Sequence, residues 1–192
     1  MDRTPRMYAR IAGVLYLTTH VTSVTAVISY GGGSIRLGVL LEFLLALGCL
    51  GTGLLLWLLL RERGPARAAG FLMLRTLEAA VILAGALPML AIALGGSPRL
   101  TGLHTAAFLL GQGLVISVNT MILGWLLIES RAVPRPLAVL GATGGAIVLA
   151  SNLAQLFALI PLNGAIAGLC AAPVFVFEVW FAIHLIVRGL RC

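Results

Sequence analysis

Arg75 and Glu78 lie three residues apart in the apolar stretch Ala68 to Leu94. On a helix that spacing puts both on one face, within reach of an ion pair. A second glutamate, Glu178, interrupts the later apolar stretch Leu169 to Val187. Charges in an apolar medium must pair or be neutralised, so the three side chains are expected to meet at similar depth. One arginine cannot fully neutralise two carboxylates, and a carboxyl without its own cation in a dry pocket is the kind of group that donates a proton. Glu178 is therefore the candidate acid, Glu78 the charged partner or base, and Arg75 the organiser. His20, set among Thr18, Thr19, Thr22, Ser23 and Thr25, is the candidate relay. The same residues also admit a purely structural network that locks helices together, and hydroxyls that only bond back to their own helix.

Asn119, Asn152, Gln112 and Trp180 are the candidate substrate contacts. Each has a plainer reading beside that one: interhelical hydrogen bonds for the amides, and interfacial anchoring for Trp180, as for Trp57 and Trp125. Gly111 and Gly113, which flank Gln112, suit close helix packing first and an unwound helix beside a ligand second. Glu42, near the start of its apolar run, is expected to snorkel to water. His104 and His184 are expected in hydrated interfacial positions. Three histidines at three depths and the spacing of Cys49, Cys170 and Cys192 suggest no metal site, disulfide framework or cofactor. There is no P-loop, nucleophile elbow or H-E-x-x-H.

The elements that must position these groups follow from composition. Of the 192 residues, 60% are hydrophobic and only 10% charged. A soluble domain carries about 25% charged residues, so the chain reads as an integral membrane protein with one polytopic domain. A membrane-crossing helix needs about 20 apolar residues. The Arg, Gly and Pro clusters leave six such spans: Ala9 to Tyr30, Gly38 to Leu60, Ala68 to Leu94, Leu103 to Ile128, Leu137 to Ile160 and Leu169 to Val187. Their lack of alternation excludes barrel strands, and the expected fold is an all-α six-helix bundle. The first span is too long for the apolar core of a signal peptide and is read as a helix.

All thirteen basic residues are arginines. They crowd the N-terminus, the second and fourth loops and the C-terminal tail, while Arg36 and Arg99 alone mark the other loops. That asymmetry predicts both termini in the cytoplasm. The arginines form no single basic stripe, so no nucleic-acid partner is expected. The expected partners are membrane lipid, a small lipophilic molecule and a second copy of the chain. A faint internal duplication sets Glu78 against Glu178.

The chain resembles the bacterial DUF4386 family of small polytopic membrane proteins. The likeness rests on Ala9 to Leu17, Leu74-Arg75-Thr76-Leu77-Glu78-Ala79, Ser130 with Pro134 to Leu137, and Phe177-Glu178-Val179-Trp180 running to Arg188-Gly189. It implies a bacterial inner, or cytoplasmic, membrane location and supports the fold and the choice of Arg75, Glu78 and Glu178. On function two readings stand. The first is a lipid-accessible site between the first, third and sixth spans that binds an isoprenoid-like molecule and transforms it by proton-initiated cyclisation or isomerisation. The second is a small, non-enzymatic proton-coupled transporter or exporter that uses the same charges, and a further alternative is a structural or regulatory subunit whose charges only pair helices.

Overall fold

The computed structural model describes residues 3–191, with side chains from Thr4 onward; Cys192 lies outside the described residues. The helices are α1 (Arg3–Gly31), α2 (Ile35–Leu60) and α3 (Pro65–Ala93), followed by a composite fourth span. That span joins a 3-10 turn (Pro98–Leu100), α4 (Thr101–Phe108), a π-helical segment (Leu109–Val115) and α5 (Ile116–Ser130). α6 (Arg135–Leu156) and α7 (Ala165–Val187) complete the chain. Six helices are long and apolar enough to cross a membrane, and no strand occurs among the described residues. The molecule is an all-α, multi-pass membrane protein.

Proline and left-handed residues set several boundaries. Pro65 opens α3 directly after Gly64, where its missing N–H costs nothing. α5 ends at Arg131, whose φ of 52° breaks the helix, and Pro134 then leads into α6. Several ends differ from the sequence expectation: α1 begins at Arg3 instead of Ala9, and the fourth span at Pro98 instead of Leu103. α6 stops at Leu156 instead of Ile160, because Ala158 takes a φ of 56° and the Gln155 side-chain oxygen accepts the Asn163 N–H at 2.8 Å. α7 begins at Ala165, four residues before Leu169, and absorbs Pro173 within its length.

The helices pack in chain order: α1 on α2, α2 on α3, α3 on the composite span, α5 on α6 and α6 on α7. α7 then returns to α1, so the bundle is a closed ring with an interior. At the end where the arginine-rich loops gather, that interior is filled by Leu56, Leu60, Phe71, Leu126, Phe177 and Phe181. The outer surface is apolar as well, with Val21, Leu47, Met73, Leu87 and Leu169 exposed, as expected of a protein whose solvent there is lipid. Lipid supplies no hydrophobic drive for helix association, so close approach matters more. A Cβ on Gly145 would lie 2.8 Å from the Ser117 carbonyl oxygen, and one on Gly124 would overlap the backbone of Ala142. Those two glycines let α5 and α6 touch backbone to backbone.

Glu42 does not snorkel. It is 4% exposed, accepts the Tyr30 hydroxyl at 2.9 Å, and lies 2.7 Å from His104 Nε2. The carboxylate ties α1, α2 and α4 together near the end opposite the arginine loops, and His104 has a protein partner in place of interfacial water. His184 is buried too, at 7% exposure. Its Nε2 has no hydrogen-bond partner, so unlike His104 it is buried without being satisfied.

Candidate functional site

Arg75 projects from α3 into the ring and is 2% exposed. One terminal nitrogen makes a bifurcated contact with Glu78, to Oε1 at 3.2 Å and Oε2 at 3.0 Å, within the reach of residues three apart on a helix. The other donates to Glu178 Oε1 of α7 at 3.2 Å. Two aromatic rings enclose the guanidinium, Tyr16 of α1 with its centroid at 5.0 Å and Phe71 of α3 at 5.6 Å. This is cation–π packing that replaces water around a charge. Glu78 Oε2 also accepts Asn119 Nδ2 at 2.7 Å, and Cys49 Sγ of α2 stands 3.7 Å from both Glu78 and Arg75.

The two carboxylates are not equivalent. Both oxygens of Glu78 and Oε1 of Glu178 accept hydrogen bonds from Arg75, and Asn119 adds a further one to Glu78. Glu178 Oε2 faces His20 Nε2 at 3.4 Å, close enough for an ion pair and without the alignment of a hydrogen bond. Three buried polar atoms around this point have no hydrogen-bond partner: the Tyr16 hydroxyl, Arg75 Nε and His20 Nε2. Buried donors and acceptors are normally satisfied, so a group of such atoms calls for a physical explanation.

Tyr16, His20 and Ser23 follow the i, i+4, i+7 spacing that aligns them on one stripe of α1. At the end of the stripe away from the arginine loops, Ser23 Oγ donates to Gln112 Oε1 at 3.1 Å across the ring. Gln112 occupies the middle of the π-helical segment, which widens the fourth span as π turns commonly do at functional sites. Gly111 and Gly113 serve packing there too: a Cβ on the first would lie 3.0 Å from Val81 and one on the second 2.9 Å from Asn152 Oδ1. Beyond Gln112 a cleft of about 250 Å³ opens between the π segment, α6 and the start of α7, lined by Val148, Ser151, Asn152, Gln155 and Asn163 among others. Every polar group in that lining is uncharged, and Ser151 Oγ is buried there without a partner.

Over residues 8–189, nearly its whole length, the chain matches the family model described as "Domain of unknown function (DUF4386)". The chain belongs to the DUF4386 family. No curated protein and no solved structure matches it. The matched region of this DUF4386 chain contains every residue of the buried cluster and of the cleft.

Of the residues singled out from sequence, the structure of this DUF4386 member brings Arg75, Glu78, Glu178 and His20 into one cluster. Asn119 joins it as a ligand of Glu78, so its amide holds the network. Gln112 and Asn152 line the cleft instead, where Asn152 donates to Val148 O at 2.9 Å and accepts from Gln155 at 3.1 Å. Trp180 stands apart from both: it is 42% exposed on the outer surface of α7. Tyr16, Phe71 and Cys49 belong to the site and were not singled out, because an aromatic or a thiol in an apolar span looks like any other filler. Among the described residues no three His, Cys, Asp or Glu side chains converge to hold a metal ion. Chemically, one carboxylate is fixed by hydrogen bonds from Arg75, Asn119 and the Cys49 thiol, and the other turns an oxygen toward the His20 imidazole, three residues before Ser23, which bonds the cleft-lining Gln112.

Proposed function

We propose that this multi-pass membrane protein binds a small lipophilic, isoprenoid-like molecule with its neutral polar head in the cleft at Gln112 and Asn152. His20 and Glu178 then exchange a proton with it, to isomerise or cyclise it. The observation that carries this reading is the free Glu178 Oε2 opposite His20. A network whose only task is to join helices gains by giving every acceptor a hydrogen bond, and this one leaves Glu178 Oε2 with only the unaligned ion-pair contact to the His20 ring nitrogen. In the reaction the proton passes from Glu178 through His20 to a carbon of a double bond, the cation rearranges, and a neighbouring carbon returns a proton to the dyad. Arg75 and Glu78 keep that dyad in position throughout. The arginine asymmetry supports cytoplasmic termini, here in a bacterial inner membrane.

A second reading, proton-coupled transport, is favoured by the one-sided arrangement: a polar cleft toward one end and a packed apolar plug toward the other. One experiment separates the two. The purified protein is incubated with geranylgeraniol, an apolar isoprenoid with a neutral hydroxyl head, and followed by thermal unfolding and by gas chromatography. The enzymatic reading predicts stabilisation together with new isomers, both in detergent and in liposomes. Stabilisation without new isomers, combined with flux driven by a pH gradient in proteoliposomes, favours transport. If geranylgeraniol neither stabilises the protein nor reacts, the lipophilic-ligand reading fails.

A further inference from the structure

The end of the bundle that carries the arginine-rich loops holds a second feature, independent of the buried cluster. The Arg191 main-chain N–H donates to the Ala132 carbonyl at 2.9 Å, and the Arg63 side chain donates to the Arg191 carbonyl. The first bond holds the segment after α7 against the turn between α5 and α6, and the second ties it to the loop between α2 and α3. A cleft of about 360 Å³ lies there, lined by Arg131, Arg135 and Arg191 on its polar side and by Leu127, Ile128 and Val133 on its apolar side.

Three other arginines at this end are occupied: Arg67 pairs with Glu129, Arg61 covers the Trp57 ring, and Arg63 holds the tail, whereas Arg6, Arg10 and Arg188 are not in the cleft lining. Among the described residues, the three that line the cleft have no anionic partner. Orientation by positive charge needs arginines at one end of the bundle, but it does not need three of them in one cleft beside an apolar wall. Guanidinium forks match the oxygens of a phosphoryl group and bind it more geometrically than an ammonium does. Basic pockets at the membrane interface are the usual seat of anionic headgroups. We propose that this cleft binds the phosphoryl group of an anionic phospholipid, with the acyl chains leaving past Ile128, the part-exposed member of the apolar wall.

Native mass spectrometry of the full chain, released from mixed phosphatidylglycerol and phosphatidylcholine, tests the proposal. The wild type is expected to retain phosphatidylglycerol selectively. In Arg131→Gln/Arg135→Gln that retention should fall roughly tenfold or more, whereas Arg99→Gln, at the other end, should leave it unchanged. Arg135→Lys keeps the charge but loses the fork and should retain an intermediate amount. A thermal-unfolding arm with inorganic phosphate at constant ionic strength separates the two sources of the same chemistry. Stabilisation by phosphate without selective lipid retention overturns the lipid and assigns the cleft to a soluble phosphorylated ligand. Equal phosphatidylglycerol retention by wild type and a folded Arg131→Gln/Arg135→Gln variant overturns the site.

Discussion

At Arg75 a single cation serves two carboxylates, and its effects separate cleanly by residue. Replacing Arg75 by Met leaves Glu78 and Glu178 buried side by side without a cation. That change should cost about 3–5 kcal/mol, the usual penalty for stranding half of a buried pair, and it should appear as a large fall in melting temperature in detergent. His20→Gln touches only the free edge: it should leave the melting temperature within a few degrees of wild type while abolishing conversion or flux. A structural network predicts the same modest stability change for His20→Gln but no functional loss. The charged members were legible in the sequence because a charge in lipid demands a partner, and few partners were on offer. Tyr16, Phe71 and Cys49 were not, since in a uniformly apolar span the types facing inward do not differ from those facing lipid. Asn119 stood out as polar, but only the structure identifies Glu78 as its partner.

Among the elements, the composite fourth span most deserves perturbation. The π-helical segment presents Gln112 to Ser23 on one side and to the cleft on the other, while Gly113 lets Asn152 approach. Gly113→Leu would drive a side chain into Asn152 and push α6 away from the segment. The expected result is a folded but less stable protein, by about 1–3 kcal/mol as in overpacked cores, that no longer gains stability from geranylgeraniol. Thermal unfolding with and without the alcohol reads both effects. Helix existence was legible from apolar length alone. Helix ends were less so, because the Gln155 side chain and the left-handed Ala158 stop α6 inside a run still apolar enough to continue. Glu42 misled for a related reason: a carboxylate one turn into a span can reach water or a neighbouring helix, and only the packing of α1 on α2 and of α4 on α3 brings Tyr30 and His104 to it.

For the whole molecule, the ring encloses a buried polar cluster beside a packed apolar plug, and the arginines are massed at the plugged end. The positive-inside account predicts that cysteines introduced at Glu62 and Ser97, in a background lacking the native cysteines, label from opposite sides of the membrane, with Glu62 protected in intact cells. Labelling of both from the same side would contradict the six-span topology. The central claim, that Glu178 and His20 form the proton-exchanging edge of a locked Arg75 and Glu78 core, is tested most directly by infrared difference spectroscopy of the protein with and without geranylgeraniol. The account predicts a ligand-dependent carboxyl C=O band that vanishes in Glu178→Gln, weakens or shifts in His20→Gln, and is unchanged in Glu42→Gln. A band that survives Glu178→Gln, or a wild type with no carboxyl change on binding, would contradict it.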